Sequence, residues 1–178
     1  MKFNLQLFAE ATTKKAVDGK KIIYLFRILS KASETDAVAM AFTTENERSK
    51  SNESETIATK DGGIALAQIE TEISTTAILA VGDTMAEELE DAMDNAEKIE
   101  IWEANLAEPV GTGSNKFKGR YFQGYINEFT LSTSAEDHAE YECTFKVDGA
   151  GVKGDVTVSA EQQAAAEYVF ADTNKTGA

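Results

Sequence analysis

The sequence predicts a mainly β fold, an antiparallel β-sandwich or barrel-like arrangement with one or two short flanking α-helices. Three observations predict it. Apolar and polar residues alternate with a period of two over residues 117–131 and again over 141–147, which is typical of half-buried strands. Two short segments carry helix-start signals. Gly, Asp and Asn clusters separate the other apolar runs, and a chain of 178 residues is expected to form one domain.

The N-terminal part divides into an arm and the first strands. We predict an extended arm over residues 1–20, with a disordered terminus as the alternative, then a single domain over 21–172 and a frayed tail over 173–178. Lys21–Leu29 is almost continuously apolar, which predicts a buried strand. Ala37–Thr44 is the segment that we expect to pair with it.

Residues 45–56 differ from the segments around them. They are polar and charged without periodicity, so they predict a long loop. Long loops in compact domains tend to be functional or mobile, and both interpretations stay open here. The Asp61-Gly62-Gly63 turn follows, and apolar and polar residues then alternate over Ile69–Thr75, which predicts a further strand.

Two capping boxes predict the helices. Thr84-x-x-Glu87 predicts a helix over residues 83–96. Its apolar face consists of Met85, Leu89, Ala92, Met93 and Ala96. The carboxylates on the rest of this helix lack the ligand order of an EF-hand loop, so they predict a solvated face. Ser159-x-x-Gln162 is the second capping box and predicts a helix over residues 159–170.

The strands of the C-terminal half show the clearest alternation. Five residues of one parity predict the buried face of a long strand: Phe117, Tyr121, Tyr125, Phe129 and Leu131. Its antiparallel return strand has a buried face formed by Tyr141, Cys143, Phe145 and Val147. The pair Asp148-Gly149 predicts a turn, after which Val152 begins a third antiparallel strand.

Composition excludes several classes of function. The net charge is −14, and residues 32–109 carry four Lys and Arg against nineteen Asp and Glu, so there is no basic footprint for nucleic acid. The single cysteine, Cys143, excludes an intrachain disulfide framework and is predicted to be a buried apolar residue. No apolar run is long enough to predict a membrane span.

We expect no enzyme. His138 is the sole histidine and lies in a polar segment, where a surface position is predicted. Five strand residues span about 16 Å, so His138 and Cys143 are too far apart to form a catalytic pair. The sequence contains no GxSxG, HExxH or phosphate-binding loop. We therefore predict no catalytic residues, no metal site and no cofactor.

Four segments carry a resemblance to a known family: YFQGYINEF, AEDHAEYECTF, GAGVKGDVTVS and AEQQAAAEYVF. In this order they resemble the C-terminal part of the major tail proteins of long-tailed, non-contractile bacteriophages of Gram-positive hosts. Upstream residues 58–62, 84–92 and 100–103 fit the same pattern, so the resemblance extends over roughly residues 22–173. The opening MKFNLQLFAE is similar to the leader of many structural proteins of such phages.

The resemblance implies a structural subunit with the phage tail tube fold. Such subunits form hexameric rings that stack into a hollow tube around a tape-measure protein, meet a tail terminator, and later conduct DNA without binding it specifically. It also implies assembly in the host bacterial cytoplasm, a final place in the virion tail and no membrane contact. The alternatives are another tail component, namely a terminator or connector, a type VI secretion-like tube protein and, from a different class, a surface-binding β-sandwich.

This role leads to expectations about charge and contacts. The acidity is expected to form a solvated surface. The alternative is that part of it lines the lumen, because a DNA-carrying lumen should repel phosphate. Contacts to the next ring are expected in the loop, at Glu45, Glu47, Arg48, Lys50, Glu53 and Glu55. Contacts between subunits are expected at apolar residues beyond those one core needs: Phe3, Leu5, Tyr121, Phe122 and Tyr125.

Overall fold

Seven strands and two helices form the described part of the chain. The computed structural model describes residues 15–52, 69–112 and 115–166. The strands are β1 (Ile22–Ile28), β2 (Thr43–Asn52), β3 (Ile69–Ile78), β4 (Ile99–Pro109), β5 (Lys116–Ser132), β6 (Glu140–Val147) and β7 (Val152–Thr157). The helices are α1 (Met85–Asp94) and α2 (Ala160–Ala166). This confirms the predicted mainly β fold with two short helices.

One antiparallel sheet, in the order β1-β4-β5-β6-β3-β2, folds over on itself. β5 serves both halves, because its first part pairs with β4 and β7 and its second part pairs with β6. We call β1, β4, β7 and the first part of β5 the first layer, and β2, β3, β6 and the second part of β5 the second layer. The rings of Phe26 and Phe145, one from each layer, stack with centroids 5.2 Å apart. The two layers therefore face each other as in a β-sandwich.

The main core lies between the layers, and α1 closes one end of it. Its largest side chains are Phe26, Phe122, Tyr141 and Phe145, each exposed by 1% or less. α1 adds Leu89 to this core, together with two buried alanines. The helix thus occupies the end of the sandwich where β3 ends and β4 begins.

A second, smaller core lies on the outer side of the first layer. Leu25 and Phe117 are buried there, and α2 packs against it through Ala166. β1 therefore buries both of its faces, because Phe26 belongs to the main core and Leu25 to the outer one. This explains why its sequence is continuously apolar rather than alternating.

The single buried face predicted for β5 is wrong, because a β-bulge interrupts its alternation. A register shift between Ile126 and Glu128 places an extra residue opposite β6. Before the bulge, Phe122 and Ile126 fill the main core, whereas Tyr125 is 45% exposed. After the bulge, Phe129 packs against the same core although it shares the parity of Tyr125. One extra residue has exchanged the two faces of the strand.

The loop predicted over residues 45–56 is also wrong where the structure describes it. Residues 45–52 belong to β2 and pair in register with residues 69–76 of β3. The inward side chains of β2 are polar and bond to polar groups: the hydroxyl of Thr75 donates to the side-chain oxygen of Asn46 at 2.9 Å, Arg48 donates to Glu103, and Lys50 donates to the carbonyl of Ala150. Because polar side chains occupy the inward positions of β2, its sequence shows no alternation of apolar and polar residues, and the strand could not be recognised from it. Residues 53–56 lie outside the described residues.

The predicted third strand exists, but it does not form a hairpin with its predecessor. β6 and β7 are both antiparallel to β5, so they run in the same direction along one edge of it. Gly149 and Gly151 have φ values of 68° and 72° in the connection between them. Asp148-Gly149 is therefore a kink in one interrupted strand path rather than a reversal of the chain.

The two capping boxes have different outcomes. At α2 the predicted reciprocal pair forms, because the backbone N–H of Gln162 donates to the Ser159 hydroxyl at 3.2 Å and that of Ser159 donates to the Gln162 side chain at 2.9 Å. At α1 the predicted Thr84 cap is absent. Asp83 accepts from the backbone N–H of Met85 at 2.9 Å instead. A carboxylate at a helix N-terminus also complements the helix dipole. Residues 167–170 of the predicted second helix lie outside the described residues.

Burial makes the Cys143 thiol unreactive in the folded protein. The side chain is fully buried, and this burial raises the thiol pKa from 9.0 to about 12. The folded protein then holds a proton that the unfolded chain releases, so the free energy of unfolding should fall as pH rises from 9.0 to about 12. The expected slope is about 1.4 kcal/mol per pH unit from this group.

This prediction is checked by urea unfolding across that window and by thiol labelling. We expect slow labelling in native buffer, fast labelling in urea, and a smaller alkaline loss of stability in Cys143→Ala than in the parent. Tyr24 and Tyr141 also have raised pKa values, mainly because they are buried, and they add a loss common to both proteins. Equal labelling rates in both buffers would contradict the burial of the thiol.

Candidate assembly surfaces

The outward side of the second layer is an acidic surface that no described element of the chain covers. We call it the acidic face and define it by six exposed carboxylates from four strands: Glu45, Glu47, Glu70, Glu72, Glu128 and Glu142. Their assignment follows from the register, because inward positions of the same strands, such as Ile73 and Phe145, are fully buried. The face is thus set by period-two alternation across paired strands.

Short neutral side chains separate these carboxylates. Glu47 is paired with Ser74, Glu142 with Thr130 and Glu128 with Thr144. Across the described residues of the four strands, Lys146, opposite Glu72, is the one cation with outward parity. Within those same residues none of the six carboxylates makes an ion pair. The face therefore concentrates negative potential and should repel phosphate.

Glu45 and Glu47, predicted to contact the next ring, lie on this face. The other four members of the face were not among the predicted contact residues, although Glu70 and Glu72 alternate with apolar residues just as a half-buried strand requires. The missing information was the pairing order, which brings β2, β3, β6 and β5 side by side. Glu53 and Glu55 lie outside the described residues.

Arg48 was predicted to contact the next ring, but it points into the sandwich. Its guanidinium forms an ion pair with Glu103 of β4 at 2.5 Å, and the Tyr24 hydroxyl of β1 donates to the same carboxylate at 2.7 Å. Burial, and then the hydrogen bond to Glu103, raise the pKa of Tyr24. Arg48 therefore joins the edge of the second layer to the first, which corrects its predicted role.

We expect Arg48→Ala to destabilise the subunit by about 2 kcal/mol, because it removes a charge-assisted hydrogen bond from a largely buried carboxylate. Chemical denaturation of the unassembled protein measures this change. Glu47→Ala, an exposed neighbour on β2, is the matched control and should change stability by less than about 0.5 kcal/mol. Equal stabilities of the two variants would show that the Arg48 ion pair does not join the layers.

The aromatic contact residues are placed differently from one another. Phe122 is 1% exposed in the main core, so its predicted role in subunit contact is wrong. Tyr125 is exposed and lies 5.5 Å from the Lys98 ammonium. Tyr121 is partly buried, and its hydroxyl donates to Glu100 at 2.6 Å. Of these three, Tyr125 has the side chain most available to a partner. Phe3 and Leu5 lie outside the described residues.

A buried ion pair supports Tyr121 on the outer side of the first layer. Arg27 pairs with Glu100 at 2.7 Å, and its guanidinium lies 5.1 Å from the centre of the Trp102 ring. The Trp102 and Tyr121 rings are 5.2 Å apart. Burial, followed by the hydrogen bond to Glu100, raises the pKa of Tyr121. These contacts hold the first layer together.

The described residues contain no group of three or more His, Cys, Asp and Glu side chains placed to hold a metal ion. In the same part of the chain, no helix has the length and apolar character needed to cross a bilayer. His138 is exposed, as predicted.

A two-layered sandwich with a broad acidic sheet face that no described element covers is an architecture suited to a structural subunit of a larger assembly. Residues 16–153 match the phage tail tube protein family, and the chain belongs to that family. It is a structural component of the virion tail. A "putative tail protein" of Staphylococcus phage phiMR25 is 36% identical over 162 residues, covering 88% of this chain and 82% of that protein.

Solved structures of low sequence identity share the fold. The SPP1 tail tube protein superposes with a TM-score of 0.68 at 17% identity, covering 92% of this chain and 95% of that one. A tail subunit of an empty gene transfer agent particle gives a TM-score of 0.56 at 16% identity, covering 77% and 98%. The predicted resemblance, fold class and tail tube role are confirmed. The family membership excludes the surface-binding module and favours the tube subunit over a terminator or connector.

Proposed function

We propose that copies of this chain assemble into hexameric rings, that the rings stack into a hollow tube, and that the acidic face lines its lumen. The acidic face carries the proposal, since it is the broad sheet surface that no described element covers. The gene transfer agent tail, whose subunit shares the fold, was refined with helical C6 symmetry, which supports six subunits per ring.

The lumen assignment follows from the chemistry of passing DNA. Cationic contacts release counterions from DNA and hold it, and the affinity grows with every phosphate neutralised. A wall of carboxylates separated by Ser and Thr, in which Lys146 is the one described cation and lies opposite Glu72, offers few such contacts. The tube therefore conducts DNA without binding it.

The edge of the second layer offers a means of closing the ring. β2 pairs with β3 on one side only, so within the described residues its outer edge carries unpaired backbone groups. If each subunit makes a heterologous contact at this edge, the contacts close into a ring when the rotation between neighbouring subunits is a whole fraction of a full turn. The second layers would then form a continuous inner wall. By the same role, a tape-measure protein and a tail terminator are the further partners, and assembly takes place in the host bacterial cytoplasm.

Self-assembly is tested on the purified full chain. We expect negative-stain images at increasing protein concentration to show hollow tubes with six-fold end views. A protein that stays monomeric at every concentration and ionic strength would overturn the proposed function.

The lumen assignment is tested by cysteine labelling in assembled tubes. Glu72→Cys lies on the acidic face, and Glu161→Cys on α2 is the matched control on the opposite side of the sandwich. A large polyethylene glycol maleimide should label both variants as monomers but only Glu161→Cys in tubes. A small maleimide should label both in tubes. Protection of the Glu161→Cys variant rather than of Glu72→Cys would show that the sandwich faces the other way.

A further inference from the structure

The end of the sandwich away from α1 carries a basic cluster, which we define as Lys50, Arg120 and Lys153. Arg120 of β5 and Lys153 of β7 are directly opposite each other in the register. The Lys50 ammonium of β2 donates to the Ala150 carbonyl at 2.8 Å, just before β7 begins. Three strands from both layers therefore bring their cations to one place, in a chain of net charge −14.

The cluster is not neutralised within the described residues. The nearest carboxylate by register is Glu103, opposite Arg120, and it is already engaged by Arg48 and Tyr24. No ion pair among the described residues includes a member of the cluster. Burial, and then the neighbouring Arg120 and Arg48, lower the pKa of Lys50. Like charges directly opposite in a sheet are destabilising, so this arrangement costs the isolated subunit stability.

The opposite end of the sandwich is acidic. α1 exposes Glu87, Glu90, Asp91 and Asp94 there. The β5–β6 connection at the same end exposes Glu136 and Asp137, and within the described residues these six carboxylates form no ion pair. We call these residues the acidic end. Arg120 and Ser132, which mark the two ends on β5, are twelve positions apart along a strand that passes from the first layer to the second between them.

We propose that the basic cluster of one subunit binds the acidic end of the next copy along the tube, so that rings stack head to tail through ion pairs. This inference rests on the proposed function. Charge complementarity between the two ends selects a second copy as the occupant, and a contact between different surfaces of identical subunits propagates into an open polymer. Such stacking has one direction, and salt should weaken it.

Charge reversal tests this contact in the full chain. One variant combines Lys50→Glu, Arg120→Glu and Lys153→Glu, so that both of its ends are acidic. The other combines Glu90→Lys, Glu136→Lys and Asp137→Lys, so that its acidic end keeps three carboxylates beside three lysines and loses its net negative charge. We expect each variant alone to lose tube formation at concentrations where the parent polymerises, and an equal mixture of the two to regain it. A single chain with all six substitutions keeps the net charge of −14 and should also form tubes.

The outcomes separate this inference from the proposed function. Circular dichroism and melting of each unassembled variant establish folding, and the neutral set Lys50→Gln, Arg120→Gln and Lys153→Gln replaces the first variant if it does not fold. The neutral set should raise the protein concentration needed for tubes. If the parent forms tubes but the variants also assemble normally alone, or the mixture fails, the inference is wrong while the tube function stands.

Two other occupants of the cluster give distinct results. If duplex DNA were the ligand, the parent would retard a DNA fragment in a gel and the neutral set would not. If Glu53 and Glu55 of the same chain were the partners, the Gln variants of those two residues would lose stability and the mixture would not regain assembly. Either result overturns the proposal.

Discussion

Leu89→Asp should prevent the subunit from folding. Leu89 is 1% exposed in the main core, where α1 packs against both layers. Removing a buried Leu side chain alone costs about 2–5 kcal/mol, and a buried carboxylate without a partner adds a further penalty. Domains are stable by only about 5–15 kcal/mol, so the sum approaches the whole stability of the fold.

Circular dichroism and thermal melting check this prediction. Met93→Asp places the same charge on the same helix at a position that is 38% exposed, and this matched control should fold with a small loss of stability. A melting temperature of Leu89→Asp equal to that of the control would show that α1 is not packed against the core. Tube formation is expected to follow folding in both variants.

The sequence predicts best where one periodicity of apolar residues persists along a whole element. The return strand β6 is the clearest example, since Tyr141, Cys143 and Phe145 are fully buried as their alternation predicts. α1 lies within the predicted range, because an amphipathic stripe is a local signal.

The sequence predicts poorly where a distant partner decides the conformation. β2 has no apolar alternation, and its strand conformation depends on pairing with β3 and on the bond between Arg48 and Glu103, which is 55 residues away. The bulge in β5 is a comparable case, because the extra residue is defined only against β6. The acidic face and the basic cluster could not be predicted from the sequence for the same reason, because each forms only when strands from distant segments pair.

Gly124→Ala should be among the most damaging conservative substitutions in the sheet. Gly124 pairs with Ile99 of β4 on one side and with Val147 of β6 on the other, at the point where β5 passes from the first layer to the second. A Cβ there would overlap the carbonyl oxygen of Lys146 and come within 2.7 Å of the Val147 Cα. Backbone atoms cannot rotate away as a side chain can, so relief requires β6 to separate from β5.

We expect a loss of about 3 kcal/mol for Gly124→Ala, at the upper end of the cost of overpacking. Gly154→Ala is the control, because Gly154 is also a strand glycine but a Cβ there meets no atom within 4 Å. It should leave stability unchanged or raise it slightly, since Ala loses less conformational entropy than Gly on folding. Urea unfolding of both variants measures the difference. Because β5 is the strand that both layers share, a loss confined to Gly124→Ala would show that close contact between β5 and β6 is what allows one sheet to form two walls.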